Sequence, residues 1–337
     1  MVSFKKLLVY PLGLFAALII SSIVLFLINI DPLVAFGAIL QGSLGTSYNI
    51  SEVFVRTIPL SLTALAFALP YSSGFWNIGG EGQLYMGALA SVLLALNMGE
   101  IPSLISIPLI MLGAFVAGMA WIALPVLAKA KLGINEIFVT VALNFIAILF
   151  VNSLVTGPIK EPGNVNPQTP VIPTSTWLLR FFPPARIHIG VILPFALAIL
   201  LYLIVYKTSL GYQIRVAGSS IKAANYAGIN TSRLYLITGL IGGGLAGLAG
   251  MEEVLGAHHL LILGISPGFA FTGILVAVMG RCHPLGIIPA SIFFAALMVG
   301  GETMQRGANV PYGMISVIVA LIAFLVFAFQ QMGQKEW

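Results

Sequence analysis

The sequence predicts an all-α fold, a polytopic bundle of transmembrane helices, from two observations. Apolar residues fill 59% of the 337 positions, whereas charged residues fill only 7%. A soluble domain carries about a quarter of its residues as Asp, Glu, Lys and Arg, so this chain has too few charges to cover a surface that faces water. Its long apolar runs are typical of membrane helices and not of the short alternating strands of a β-barrel.

Hydropathy predicts about ten spans, because a helix needs roughly 20 apolar residues to cross a bilayer. The first run, 7–30, is longer than the apolar region of a signal peptide and is interpreted as a retained span. The spans leave no room for a folded soluble domain, so we expect a single transmembrane domain over residues 1–337. The predicted spans are 8–30, 54–72, 80–97, 103–127, 134–156, 187–206, 234–256, 266–280, 284–300 and 311–330.

The basic residues predict the sidedness of the bundle, since cytoplasmic connections of membrane proteins are rich in Lys and Arg. An even number of spans places both termini on one side, and the Lys and Arg census favours the cytoplasm, with both termini inside. The basic residues are scattered between spans, which does not favour nucleic-acid binding. Ten lie inside (Lys5, Lys6, Lys129, Lys131, Lys207, Arg215, Lys222, Arg233, Arg281, Lys335) and five outside (Arg56, Lys160, Arg180, Arg186, Arg306).

Two connections between predicted spans are long. The outer connection, 158–188, contains seven prolines, which preclude a continuous helix and favour stiff, extended backbone. The inner connection, 207–233, has helical periodicity. Its apolar positions recur at spacings of three and four: Ile214, Ala217, Ile221 and Ala224. We therefore expect a proline-rich cap outside and a short amphipathic helix along the cytoplasmic face.

Glycines predict a close helix crossing and interruptions in both halves of the chain. Gly239, Gly243 and Gly247 fall four apart, a spacing that lets a neighbouring helix approach closely. The second span breaks at 72–74, and Gly264–Gly268 interrupts the second half. Interrupted apolar segments in both halves are compatible with a transporter of two repeats.

Asn77, Glu81 and Gln83 surround the break after the second span. An intramembrane carboxylate is costly and usually faces a partner or a watery path, so these residues are candidates for a solute pathway. Helical geometry would place Asn77 and Glu81 on one face. The alternative is that the stretch lies in a solvated inner connection.

Asn135, Glu136 and Asn144 are further pathway candidates, all in the fifth predicted span. A buried amide such as that of Asn144 needs a partner, and a hydrogen bond between helices is a commoner explanation than substrate contact. Glu136 also suits the first turn of a helix, where the macrodipole favours a negative charge.

Two kinds of chemistry are disfavoured. Glu252, Glu253, His258 and His259 have the composition of a metal site, but adjacent helical residues point about 100° apart and no H-E-x-x-H spacing occurs, so we expect a polar cluster at a mouth and no metal. The sequence contains no G-x-x-x-x-G-K-[ST] motif. We expect no enzymatic activity and no cofactor in this chain, with any ATP hydrolysed by another subunit.

Five motifs together resemble the permease subunits of bacterial and archaeal ABC importers, a family that includes permeases for ribose-type sugars, branched-chain amino acids and nucleosides. The versions NIGGEGQ and NEIFVTVALNFIA are most similar to the nucleoside branch, which works with basic membrane lipoprotein receptors. The motifs are NIGGEGQLYMGALA (77–90), GINEIFVTVALNFIA (133–147), GYQIRVAGSSIKAANYAGI (211–229), GISPGFAFTGILVAVMGRCHPLGIIPA (264–290) and GGETMQRGANVP (300–311).

The resemblance implies a multi-pass protein of the cell membrane with three kinds of partner: a second permease subunit, a cytoplasmic ATPase and an extracytoplasmic solute-binding lipoprotein. It also implies that 211–229 contains the helix that docks on the ATPase, with candidate coupling residues Arg215, Gly218, Ser219, Lys222, Ala223 and Ala224. The expected substrate is a nucleoside, and the alternatives are a sugar or a branched-chain amino acid. An ion-coupled secondary transporter is less favoured, because the sole Asp, Asp31, sits at a span end.

Overall fold

A computed structural model describes residues 4–99, 101–307 and 310–335, and within these residues the fold is helical without a β-strand. Short 3-10 turns occur at Thr174–Thr176 and Ile189–Val191, and a π-helical turn, Glu253–His258, continues the tenth helix. The α-helices are α1 (Phe4–Leu27), α2 (Pro32–Leu44), α3 (Ser47–Tyr71), α4 (Gly80–Met98), α5 (Ser103–Leu132), α6 (Glu136–Thr156), α7 (Ile192–Lys207), α8 (Ser209–Ser219), α9 (Ile221–Tyr226), α10 (Thr231–Glu252), α11 (Phe269–Met279), α12 (Pro284–Gly307) and α13 (Tyr312–Lys335).

The described residues contain six helices that are long and apolar enough to cross a membrane, or seven if α1 and α2 count as one bent span. The six are α3, α5, α6, α7 with the turn before it, α10 with its π-helical end, and α12. The polytopic helical fold is therefore confirmed, while the count of ten and the sidedness stay predictions. The side chains of Lys5, Lys6 and Lys335, which contribute to the predicted sidedness, lie outside the described part, as do Ala308 and Asn309 of the last motif.

Helix α2 is a feature that the predicted spans omit. The axis of the chain turns by 119° between α1 and α2. Asp31 caps α2 by accepting a hydrogen bond from the backbone N–H of Leu33 at 2.8 Å, and Pro32 fits the first helical turn. With 13 residues, α2 is too short to span a bilayer alone, which is why a hydropathy criterion passes over it.

The described chain separates into two compact units, whose boundaries fall inside α3 and α12. Unit 1 comprises Met1–Phe54 and Ile292–Trp337, and unit 2 comprises Val55–Ser291. In unit 1, α1 packs on α13, and α2 approaches α12 where Gly42 lies against Thr303. The single domain over 1–337 stays a prediction.

The core of unit 2 is α10, which packs against both α4 and α5. The predicted glycine face makes the crossing with α5: Gly239 lies against Val126, Gly243 against Ile122 and the carbonyl of Gly118, and Gly247 against the carbonyl of Ala114. Gly87 of α4 lies against the backbone of Gly247 from the other side. The prediction of a close helix approach is confirmed, and backbone contacts backbone at this crossing.

The inner connection forms two helices, α8 and α9, where one was predicted. The chain is extended at Ser220, whose hydroxyl caps α9 by accepting from the N–H of Ala223 at 3.2 Å. The predicted apolar positions Ile214, Ala217 and Ala224 are buried. The prediction for Ile221 is wrong: its side chain is 47% exposed, because the break ends the helical repeat before α9 begins.

The outer connection, 158–188, forms an ordered segment that we call the outer cap. As predicted, it contains no long helix. Backbone hydrogen bonds join it to the end of α10 and the residues that follow: Thr169 donates to Leu261, Ile172 to His259 and Leu178 to Leu255, at 2.9–3.1 Å, and Leu263 donates to Pro167 at 3.1 Å. The cap and the end of α10 therefore hold each other in place through their main chains.

Candidate functional site

Polar candidates gather around residues 72–79, the break between α3 and α4. Asn77, Glu81 and Gln83 are each at most 2% exposed within this chain, so the interpretation of a solvated connection does not hold. Asn77 precedes the start of α4 at Gly80. The helical geometry that would place Asn77 and Glu81 on one face is therefore absent at Asn77, because only Glu81 is helical.

Asn77 and Gln83 form a reciprocal amide pair. Asn77 Nδ2 donates to Gln83 Oε1 at 3.0 Å, and Gln83 Nε2 donates to Asn77 Oδ1 at 2.8 Å. Asn77 also donates to the carbonyl of Ala66 at 3.3 Å and accepts from the N–H of Gly79 at 3.2 Å. An amide has two donor hydrogens and two acceptor lone pairs, so Asn77 is fully used while Gln83 keeps one of each.

Asn144 joins α6 to the same break. Its Oδ1 accepts from the N–H of Gly82 at 2.7 Å, and its Nδ2 donates to the carbonyl of Ile78 at 2.8 Å. The hydrogen bond between helices that the sequence favoured is present. These bonds use one of the two donor hydrogens and one of the two lone pairs of the Asn144 amide.

Glu81 lies at the N-terminus of α11. Its Oε2 accepts from the backbone N–H of Ala270 at 2.9 Å. The unsatisfied N–H groups and the dipole of a helix N-terminus stabilise a negative charge, which gives this buried carboxylate a compensating environment. The side chain of Ser266 accepts from Phe269 at 3.0 Å and completes the cap.

Asn135 and Glu136 begin α6. Asn135 is an exposed N-cap whose Oδ1 accepts from Ile137 at 2.9 Å. Glu136 Oε2 lies 2.8 Å from Lys129 Nζ of α5, and its Oε1 accepts from the backbone N–H of Trp76 at 3.3 Å. The structure thus brings five of the six pathway candidates to the break, and leaves Asn135 as a cap. The break thus combines the amides of Asn77, Gln83 and Asn144 with the carboxyl groups of Glu81 and Glu136.

The four acidic and histidine residues at the end of α10 take separate partners. Glu252 Oε2 lies 3.6 Å from His188 Nδ1, and Glu253 Oε2 lies 3.3 Å from His258 Nε2. His259 stacks on Trp177, with 3.8 Å between ring centroids. The partners His188 and Trp177 belong to the outer cap and lie 64 to 82 residues away in sequence, a distance that periodicity does not bridge.

His259 makes the outer cap sensitive to acid. Arg180 Nη2 donates to His259 Nε2 at 2.7 Å, which requires an unprotonated nitrogen. Burial lowers the pKa of His259 most, and the positive charge of Arg180 lowers it further, from 6.5 to about 4. Between these values the unfolded chain takes up a proton that the folded chain excludes. The contribution of neutral His259 to the stability of the folded protein is complete above pH 6.5 and is lost as the pH falls toward 4.

We therefore expect the free energy of unfolding in detergent to fall by roughly 1 to 2 kcal/mol between pH 6.5 and 4 because of His259. Thermal unfolding across this range measures the slope. His259→Gln retains an oxygen that can accept from Arg180 and should flatten the profile. An equal slope in the variant would contradict the assignment.

The predicted coupling residues divide into packed and exposed groups. Arg215 donates to the carbonyl of Val205 and lies over the ring of Tyr206, at 5.3 Å from its centroid. Gly218 lies against the carbonyl of Ser72, and Ala224 is buried. Ser219, Lys222 and Ala223 are exposed. Tyr226, which ends α9 and was not among the predicted coupling residues, is 95% exposed.

Known proteins are similar to this chain over most of its length. The family described as "Branched-chain amino acid transport system / permease component" matches residues 49–328. The Glucose ABC transporter permease protein TsgB13 of Haloferax volcanii is 33% identical over 94% of this chain and 86% of its own length. The Nucleoside ABC transporter permease protein NupB of Lactococcus lactis is 28% identical over 96% and 91%. The Guanosine ABC transporter permease protein NupP of Bacillus subtilis is 29% identical over 86% and 84%. This chain belongs to that family of ABC transporter permeases, and is a multi-pass protein of the cell membrane.

Proposed function

We propose that this chain lines the translocation pathway of an ATP-driven importer. It would act with a second permease subunit, a cytoplasmic ATPase and an extracytoplasmic solute-binding lipoprotein. The observation that carries the proposal is the pair α8 and α9. These helices are too short to span a membrane, they bury Ile214, Ala217 and Ala224 against the bundle, and they leave a mixed face exposed that includes Ile221, Lys222 and Tyr226. That face offers a docking surface to a separate ATPase, in a chain whose sequence has no P-loop.

The proposal includes the predicted topology. Ten spans with both termini in the cytoplasm would place α8 and α9 on the ATPase side, together with ten of the fifteen basic residues. A two-repeat arrangement within one permease domain would fit the interruptions at 72–79 and 264–268.

Substitution at Ala223 tests the coupling role. A rigid push on α8 and α9 requires close contact, so Ala223→Glu should lower ATP-dependent uptake by about tenfold or more while the level of the protein in the membrane is unchanged. Ala223 is the better site, because a side chain at Gly218 would collide with Ser72 inside the chain. Lys131→Glu, an exposed charge change outside α8 and α9, is the control. Normal uptake by Ala223→Glu would refute the coupling assignment.

For the substrate we propose a nucleoside. Two relatives are named for nucleoside and guanosine, and the spare hydrogen-bonding capacity of Gln83 and Asn144 suits a neutral solute with hydroxyl and base groups. Glu81, Gln83, Glu136 and Asn144 are the proposed pathway groups, with Asn77 and Asn135 supporting them. A sugar is the second candidate, because the relative named for glucose is 33% identical.

Uptake of labelled solutes separates these substrates. Cells that carry this permease with its own ATPase and receptor would be given labelled nucleoside, glucose, ribose or leucine in separate assays, and ATP-dependent uptake of each would be compared with that of cells lacking the permease. Permease-dependent uptake of the nucleoside alone is the expected result. Permease-dependent uptake of glucose or ribose alone would move the assignment to sugars, and that of leucine alone would move it to branched-chain amino acids.

A further inference from the structure

A groove of about 390 Å³ opens between α8, the turn after α9 and the start of α10. Its polar lining comes from Ser209 and Gln213 of α8 and from Asn230 and Arg233, and its apolar lining includes Leu234 and Ile237. None of the pathway candidates lines it. The groove is large enough for a few side chains of another molecule.

Arg233 gives this groove a positive charge. Its side chain is exposed, and within residues 4–99, 101–307 and 310–335 it has no ion pair or side-chain hydrogen bond. Asn230 caps α10 by accepting from the backbone N–H of Arg233 at 2.9 Å. Arg233 therefore lies in the first turn of α10, where the helix dipole adds a partial positive charge to that of the guanidinium. The connection 207–233 contains four basic residues and no acidic one. A complementary partner is therefore acidic.

The position of the groove favours a protein over a lipid. α10 is an interior helix, with 78% of its most apolar window buried, whereas the corresponding windows of α5 and α6 are 22% buried. The groove lies at the beginning of that interior helix and is bordered by α8, on which the proposed docking of the ATPase already depends. A lipid headgroup would more readily reach basic residues at the ends of the exposed helices.

We propose that the groove receives an acidic segment of the ATPase subunit, whose carboxylate pairs with Arg233. This inference rests on the proposed coupling role of α8 and α9. It adds a second contact to that surface, at the helix that forms the core of unit 2. The planar guanidinium of arginine can bind a carboxylate through two parallel hydrogen bonds, which would fix the orientation of the segment.

Co-purification with the ATPase tests the pairing. The whole complex is isolated in detergent from wild type, Arg233→Glu, Gln213→Glu and Lys131→Glu. Arg233→Glu and Gln213→Glu should each weaken retention of the ATPase by about tenfold, because both place a negative charge in the groove. Lys131→Glu, the same charge reversal outside the groove, should retain it. Thermal unfolding of each permease variant confirms that its fold is intact.

A photo-crosslinking residue at position 213 identifies the occupant. The expected product joins position 213 to an Asp- or Glu-containing peptide of the ATPase. A product with lipid, or retention by Arg233→Glu equal to that of Lys131→Glu, would overturn this inference and leave the coupling role of α9 intact. Failure of the wild-type chain to retain any ATPase would instead overturn the proposed function.

Discussion

Gly247→Leu is expected to destabilise the protein by about 3 kcal/mol or more, and to lower its yield in folded form. A Cβ at this position would meet the carbonyl of Ala114 and approach Gly118, and Gly87 packs on the opposite side of the same backbone. These neighbours are main-chain atoms, which cannot rotate away as a side chain can. The α10–α5 crossing would have to open, with loss of packing along both helices.

Gly37→Leu is the matched control. Gly37 also lies inside a helix, but no atom lies within 4 Å of a Cβ built on it. The change should alter stability by less than about 1 kcal/mol, since Leu is a good helix former and Gly is a poor one. Thermal unfolding of both variants in the same detergent measures the difference. Equal stability of the two variants would show that the crossing tolerates a side chain.

Asn77→Ala is expected to cost about 3 to 5 kcal/mol. The change removes both hydrogen bonds of the Gln83 amide and leaves the carbonyl of Ala66 and the N–H of Gly79 without this partner. Each buried polar group that loses its partner costs about 1 to 3 kcal/mol. The exposed amide Asn97→Ala removes a single bond to Leu93 and should change stability by less than about 0.5 kcal/mol.

A double variant separates pairing from simple loss of volume. Replacing both members of a buried hydrogen-bonded pair by apolar groups leaves neither amide without the other, although the carbonyl of Ala66 and the N–H of Gly79 still lose Asn77. Asn77→Leu with Gln83→Leu should therefore cost less than the sum of the two single changes, by roughly 1 to 3 kcal/mol. Strict additivity in thermal unfolding would mean that the two amides do not act as a pair.

The sequence predicts the elements of this fold better than their partners. Predicted span 80–97 and helix α4, Gly80–Met98, agree closely. A glycine marks the start of the helix, and the end of the apolar run marks its end. The glycine face of α10 was predictable for the same reason, since spacing alone places Gly239, Gly243 and Gly247 together. α2 was not, because hydropathy detects segments long enough to span, and α2 turns aside after 13 residues.

The candidate site was predictable in composition and not in geometry. Asn77, Gln83 and Asn144 were recognisable as amides in apolar surroundings, but which amide meets which depends on the path of the break at 72–79. The contact between Arg180 and His259 joins positions 79 residues apart and follows no periodicity. For α8 and α9 the predicted helical period of the apolar residues was right. The serine that caps α9 interrupts this period between the two helices, which leaves Ile221 exposed.

The main-chain bonds between the outer cap and the end of α10 have a mechanical consequence. A molecule that pulls or presses on residues 167–178 would also displace the segment that follows α10, since several backbone hydrogen bonds would have to break before the two segments could move apart. α10 in turn touches α4 and α5 along its length. A force on this proline-rich segment would therefore be transmitted through hydrogen bonds to α10, the helix at the core of unit 2.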